Sequence, residues 1–175
     1  NSGSMDLEWS VAVDSLSGGV INFTKEDYAD YNNSENWDII VPGEIAITRQ
    51  NNNGLYNPYT DSGWDWSDEG PQGTEWAWGS TEDNLDSPGN YTSWRNAVYQ
   101  SGTGPRYALN PDDNSQYSGL MSMHIIGTDD YFDFQFHDWT CCGGGGGFSY
   151  TRSGDVILDE EMFSELSGSA IPNGN

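Results

Sequence analysis

The sequence predicts an all-β protein, a β-sandwich or jelly roll with long irregular loops and one or two short helices. Several short segments alternate apolar and polar residues with the two-residue period of a half-buried strand. Segments rich in Gly, Asn, Asp and Pro, which favour turns, separate them. Hydrophobic residues make up only 34% of the chain, whereas aromatic residues make up 14%. Large rings are therefore expected to supply much of the core.

The N-terminal segment has the strictest alternation in the chain. Residues 5–13 place every other side chain on one apolar face, as expected of a strand. These side chains are Met5, Leu7, Trp9, Val11 and Val13. Residues 15–19 are predicted to form a flexible hinge after this strand, because Ser15, Ser17, Gly18 and Gly19 are small. We therefore divide the chain into an N-terminal strand with its hinge, residues 1–19, and a β-sandwich domain, residues 20–175.

Short strands and irregular loops follow along the domain. Strands are predicted at residues 20–24, 39–41, 45–49, 74–79 and 156–158. Helical turns are predicted within residues 25–37 and at 81–84, and short helices at 91–99 and 159–166. Residues 91–99 are also compatible with a strand, but Trp94, Ala97 and Val98 share a face at helical spacing, which favours the helix. Residues 100–119 are predicted to be a loop.

The centre of the sheet is predicted between residues 120 and 152. Phe132, Phe134 and Phe136 alternate with polar residues, which is the pattern of a half-buried strand. Turn-forming residues at 127–130 join this strand to an apolar segment before it, so a hairpin is expected. A third strand begins at Phe148.

Two adjacent cysteines and a run of glycines, residues 143–147, separate the last two of these strands. The run is either a flexible hairpin tip or a loop that another backbone or a ligand approaches too closely for any side chain. Cys141 and Cys142 have Cα atoms about 3.8 Å apart, which is closer than in most disulfides. Three states therefore stay open: a vicinal disulfide, free thiols, or bonds to other chains.

The charge of the chain excludes several classes of partner. Asp and Glu number 28 against 5 Lys and Arg, which gives a formal net charge of −23. Such a surface repels nucleic acids and anionic membranes, and no apolar stretch approaches the length of a membrane span. Self-repulsion of this size favours a salty or calcium-rich medium. Together with the abundant glycine and scarce lysine, it predicts a secreted or cell-surface protein.

Acidic side chains gather in three segments that are candidates for binding Ca²⁺, which prefers six to eight oxygen ligands. The first segment contains Asp61, Asp65, Asp68 and Glu69, the second contains Asp112 and Asp113, and the third contains Asp129, Asp130 and Asp133. None has the spacing of an EF-hand, so Ca²⁺ is predicted without a choice among the three. Zinc and iron are not expected, because the chain has 2 histidines and its 2 cysteines are adjacent.

No known catalytic motif is present, so we do not expect an enzyme and assign no catalytic residue. Aromatic side chains between acidic and amide residues are instead candidates for contacts with a sugar or another protein. The tryptophans among them are Trp64, Trp66, Trp76 and Trp78. The alternative is that these rings fill the core.

Several motifs resemble a poorly characterised domain of large secreted surface proteins of environmental bacteria. They are Ile-Ala-Ile-Thr-Arg at 45–49, Gly-Leu-Tyr-Asn at 54–57, Thr-Glu-Trp-Ala-Trp-Gly at 74–79, Met-His at 123–124, and residues 131–139 and 145–152. The resemblance covers roughly residues 20–152. It implies an extracellular, all-β, non-catalytic module and carries over no site residues.

These observations lead to one functional expectation and one alternative. We expect a structural or adhesive surface protein, stabilised by calcium, that assembles with other copies of itself into a filament. In this hypothesis the strand at residues 5–13 adds to the sheet of a neighbouring copy. The alternative is a carbohydrate-binding module of a secreted polysaccharide-processing system, with polysaccharide as its partner.

Overall fold

The computed structural model of the protein describes residues 19–64, 69–100, 102, 104–110 and 118–154. Within them Val20–Gly154 forms one structural unit. The strands predicted at 5–13 and 156–158 and the helix predicted at 159–166 lie outside the described residues.

Among the described residues, eight strands form two antiparallel sheets, which confirms the all-β fold. The strands are β1 (Val20–Lys25), β2 (Asp38–Val41), β3 (Ile45–Arg49), β4 (Leu55–Tyr56), β5 (Thr74–Trp78), β6 (Leu120–Ile125), β7 (Tyr131–Trp139) and β8 (Phe148–Ser153). The larger sheet has the order β1-β8-β7-β6-β5, and the smaller one has the order β2-β3-β4. The helices are α1 (Thr81–Asn84), α2 (Trp94–Tyr99) and α3 (Pro105–Leu109).

The central hairpin agrees with the prediction. β6 and β7 pair antiparallel across the turn at residues 127–130, with Met121 opposite Phe134 and Met123 opposite Phe132. Because side chains alternate along a strand, the three phenylalanines of β7 lie on one face and are buried. β8 pairs with the other edge of β7, as expected, so these three strands occupy the middle of the sheet.

The core lies between the two sheets and contains residues of both. Ile45, Ile47 and Leu55 of the smaller sheet pack in one cluster with the phenylalanines and methionines of the larger one. A buried ion pair also joins the layers: Arg152 of β8 donates to Asp38 of β2 through Nε at 2.7 Å and Nη2 at 3.1 Å. The hydroxyl of Tyr150 donates to the same carboxylate at 2.7 Å. Charge and hydrogen bonds thus fix the sheets to each other.

The helices are short and follow local capping signals. The Ser93 hydroxyl accepts a hydrogen bond from the Asn96 amide and so caps α2, whose buried side chains are Trp94, Ala97 and Val98, as the helical spacing predicts. The prediction of a continuous loop over residues 100–119 is wrong, because α3 lies within it. α3 has Pro105 in its first turn, where proline is favoured because that backbone N–H needs no helical partner.

Candidate functional site

One cleft combines exposed aromatic rings with cationic side chains, and we call it the aromatic cleft. Its volume is about 270 Å³. Four parts of the chain line it: the end of β3 with the turn after it, Trp64 between β4 and β5, the segment from α2 to α3, and the end of β7 with the cysteine pair. Its side chains include Arg49, Trp64, Trp94, Tyr99, Arg106, Tyr107, Trp139, Cys141 and Cys142.

Arg49, the last residue of β3, lines the cleft although it is only 1% exposed. Its Nε donates to the Asn53 carbonyl at 2.6 Å and its Nη1 to the Gly147 carbonyl at 2.9 Å. The guanidinium carbon lies 3.7 Å from the centre of the Trp139 ring, a cation–π contact. Burial lowers the pKa of Arg49 to about 10, against the opposing effect of Asp27 and Asp138. The side chain is therefore a rigid positive charge.

A stack of indole rings supports one side of the cleft. Trp94 stacks on Trp139 with ring centres 5.3 Å apart, and Trp64 meets Trp94 edge-on at 5.7 Å. Trp64 lies directly over Gly54, where any Cβ would collide with the indole ring. Position 54 therefore requires glycine, and the ring of Trp64 is held against the backbone as part of a fixed wall.

The segment from α2 to α3 supplies exposed aromatic surface. Tyr99 at the end of α2 is 43% exposed, and Tyr107 in α3 is 47% exposed. The guanidinium carbon of Arg106 lies 5.3 Å from the ring centre of Tyr107. These side chains can contact a ligand without rearrangement of the core, because the buried residues of α3 are Ala108 and Leu109.

The cysteine pair forms a vicinal disulfide, Cys141–Cys142. This resolves the three states that the sequence leaves open. Both cysteines line the aromatic cleft, and Cys142 has a positive φ of 63°. The Gly143 amide after the pair donates to the Asn52 side chain at 2.7 Å. The disulfide thus forms a rigid part of the cleft wall.

The glycine run is a docked loop rather than a flexible tip. A Cβ at Gly145 would lie 2.7 Å from the Tyr28 amide nitrogen, and one at Gly146 would lie 2.6 Å from the Gln50 carbonyl oxygen. The Tyr28 amide donates to the Gly145 carbonyl at 2.9 Å, and Lys25 Nζ donates to the Gly146 carbonyl at 3.3 Å. Close approach of a neighbouring backbone therefore explains Gly145 and Gly146.

Two acidic residues of the first predicted calcium segment are described, and each has its own protein partners. Asp61 is largely buried and accepts from the Asn57 amide at 2.7 Å and the Gln72 amide at 3.3 Å. Glu69 instead accepts from Ser93 and Asn96 and pairs with Arg95 at 3.7 Å. Both carboxylates thus have protein partners. Asp65 and Asp68 lie outside the described residues.

The third segment forms no cluster of ligands either. Asp129 and Asp130 are exposed in the hairpin turn, whereas Asp133 of β7 accepts from the Thr81 amide at 2.6 Å and its hydroxyl at 2.7 Å. Asp112 and Asp113 of the second segment lie outside the described residues. Within the part of the chain that is described, no three His, Cys, Asp or Glu side chains are arranged to hold a metal ion. Calcium binding stays a prediction.

The predicted contact residues have different environments. Trp76 is 0% exposed, and its indole N–H donates to the Thr74 hydroxyl. It is therefore a core residue, and its prediction as a contact residue is wrong. Trp78 is half-buried and donates to the Ala97 carbonyl. Trp64 is half-buried and lines the aromatic cleft. The remaining candidates, Trp66 and the apolar residues of the segment 5–13, lie outside the described residues.

Sequence reasoning missed most of the aromatic cleft. It did not select Arg49, Tyr99, Arg106, Tyr107 or Trp139. One signal was available, since a chain with only 5 Lys and Arg makes each cation informative. No periodicity joins these positions, which only the fold brings together.

Comparisons of the chain with protein-family models, with curated proteins and with solved structures returned no match. The resemblance to a domain of bacterial surface proteins therefore stays a prediction. Among the described residues, no helix has the length and apolar character needed to cross a membrane.

Proposed function

We propose that the protein is an extracellular, non-catalytic saccharide-binding module and that the aromatic cleft is its binding site. The observation that carries this proposal is the presence of exposed tyrosines, a held tryptophan and two arginines in one cleft. Aromatic faces contact the C–H surfaces of sugars, and arginine donates to their oxygens.

The size and rigidity of the cleft support this function. Its volume of about 270 Å³ is close to the lower end of the usual range for ligand sites, about 300–1,000 Å³. A short stretch of a polysaccharide fits such a site better than a large cofactor. The stacked indoles and the hydrogen bond from Arg49 to the Gly147 carbonyl hold the walls in place, so binding costs little ordering.

The chemistry of the lining favours binding over hydrolysis. Glycosidases use two carboxyl groups that flank the scissile bond. Among the described residues, those that line the cleft include no Asp or Glu. The described lining thus offers contact surfaces and hydrogen-bond donors but no acid–base pair.

The test is a glycan array followed by calorimetry on the strongest hit. We expect Tyr99→Ala and Tyr107→Ala each to weaken binding about tenfold, the effect of roughly 1.4 kcal/mol of lost contact. Tyr131→Ala is the matched control, because Tyr131 is similarly exposed at 38% but does not line the cleft. An array without a hit, or an equal loss in the control, would contradict the proposal.

Self-assembly is a second candidate function, favoured by the position of β1. β1 is the end strand of the larger sheet, and β8 is its one neighbour among the described residues. An end strand presents backbone N–H and C=O groups to which another strand can add. We propose that the segment 5–13 of a neighbouring copy supplies that strand and that the copies form a filament.

This second proposal predicts concentration-dependent polymers of the full chain. Trp9→Asp with Val11→Asp places charges on the apolar face of the segment 5–13 and should leave a monomer in size exclusion with light scattering. Ser2→Asp with Ser4→Asp adds the same charge outside that face and should still polymerise. A full chain that stays monomeric at high concentration would exclude assembly.

A further inference from the structure

Cations are concentrated at the aromatic cleft of an otherwise acidic protein. The chain has 5 Lys and Arg and a net charge of −23. Arg49 and Arg106 both line the cleft. Burial lowers the pKa of Lys25, and the positive charge of nearby Arg49 lowers it further. Among the described residues, the lining of the cleft thus carries two cations and no carboxylate.

The two buried arginines differ in what neutralises them. Arg152 is paired directly with the Asp38 carboxylate at 2.7 Å. Arg49 is equally buried, but its partners among the described residues are two backbone carbonyls and the face of Trp139. The carboxylates of Asp27 and Asp138 act on it electrostatically without an ion pair among the described contacts. A buried charge without a contacting counter-ion is costly, so a ligand anion at this site is favoured.

The hydrogen-bonding capacity of Arg49 points the same way. A guanidinium has five N–H donors in a planar fork. Within the described residues, the hydrogen bonds of Arg49 use Nε and Nη1, to the carbonyls of Asn53 and Gly147. The fork can therefore donate further to an oxyanion in the cleft, which is the geometry that arginine prefers for carboxylates and similar groups.

From these observations we propose that the aromatic cleft takes an anionic saccharide, one whose sugar units carry a carboxylate or a sulfate group. This inference rests on the saccharide-binding function proposed above and names its substrate class. Arg49 and Arg106 contact the anionic group, and Trp64, Tyr99 and Tyr107 contact the sugar rings. The net charge of the chain opposes adsorption of polyanions elsewhere, so binding is confined to the cleft.

The experiment is calorimetry of the full chain with two pairs of matched polymers. Polygalacturonate is compared with its methyl ester, which has the same backbone without the charge, and dextran sulfate with dextran. We expect at least one acidic polymer to bind about tenfold or more tightly than its neutral partner. The pair in which this difference is larger identifies the anionic group as carboxylate or sulfate.

A variant pair locates the effect. Arg106→Gln should lower affinity for the acidic polymer about tenfold and leave the melting temperature unchanged, because Arg106 is exposed. Asn22→Asp changes the net charge by the same amount at an exposed residue of β1 that does not line the cleft, and it should bind like the parent. Arg49 itself is too deeply buried to serve as the first test.

The outcomes separate this inference from the function on which it rests. Equal affinity for the acidic and neutral polymers would overturn the anionic assignment and leave saccharide binding intact. An equal loss of affinity in Asn22→Asp would overturn the assignment to the cleft. A lack of binding to all four polymers, together with an empty glycan array, would overturn both proposals.

Discussion

Gly146→Ala tests the close backbone approach that holds the glycine loop. Gly146 has φ of +76°, and a Cβ there would lie 2.6 Å from the Gln50 carbonyl oxygen and 3.0 Å from the Asn51 Cα. Both neighbours are backbone atoms, so no side-chain rotation relieves the contact. The loop or the turn after β3 must move instead.

The cost has two parts. An alanine in the left-handed region costs about 1–2 kcal/mol, and the forced shift in a packed region costs about 1–3 kcal/mol more. A total of about 2–5 kcal/mol lowers the melting temperature of a domain of this size by about 4–20 °C, since each kcal/mol shifts it by about 2–4 °C. Arg49 directly precedes this turn, so we expect ligand affinity to fall as well.

Gly43→Ala is the matched control. Gly43 has φ of +80° but no heavy atom within 4 Å of a Cβ, so it incurs the backbone strain without the collision. Both substitutions also reduce the freedom of the unfolded chain by the same amount. Thermal unfolding of the two variants should therefore differ by about 1–3 kcal/mol, the cost of the forced shift alone. Equal melting temperatures would refute the reasoning.

Three further predictions concern charge. Asp38→Asn should destabilise the fold by about 3–5 kcal/mol, because it removes the carboxylate charge that faces the buried Arg152. Denaturant unfolding measures the loss of stability, and a variant as stable as the parent would contradict the prediction. Burial alone lowers the pKa of His124, but hydrogen bonds to Thr128 and Glu75 outweigh it and raise the pKa above 6.5. The resulting stability is fully present below pH 6.5 and lost as pH rises through the folded pKa, so Glu75→Gln should flatten the pH dependence of the melting temperature in that window. Finally, EDTA should lower the melting temperature by several degrees and Ca²⁺, but not NaCl at equal ionic strength, should restore it; an unchanged curve excludes structural calcium.

The parts of the fold that sequence could predict are those with a local signal. The phenylalanines of β7 alternate with polar residues over five positions, and the turn-forming residues at 127–130 predict the hairpin. The strand, the turn and the register of β7 with β6 can therefore be predicted from residues that are close in sequence. The helix α3 was missed although Pro105 is a known helix-start signal, because proline is equally typical of loops. Short helices with a mixed signal are where local reasoning fails.

The aromatic cleft has no local signal at all. Trp76 and Trp64 look alike in sequence, each an aromatic residue among polar ones, yet one lies in the core and the other lines the cleft. Their difference is set by strand pairing and by the contact of Trp64 with Gly54, which are long-range facts. The glycine run was ambiguous for the same reason, since only the position of residues 27–28 and 50–51 decides between a flexible and a docked loop.

We expect the redox state of the vicinal disulfide to change the aromatic cleft without changing the stability of the fold. A disulfide stabilises a protein chiefly by restricting its unfolded chain, and the effect grows with the length of chain it encloses. Cys141 and Cys142 enclose no intervening residue, so this contribution is small. Breaking the bond releases no strand or loop from another, and we expect melting curves with and without a reducing agent to coincide. Protein produced in a reducing compartment would then fold and melt like the oxidised protein, although its cleft would contain two thiols instead of the disulfide. The oxidation state of Cys141 and Cys142 must therefore be checked before ligand binding is measured.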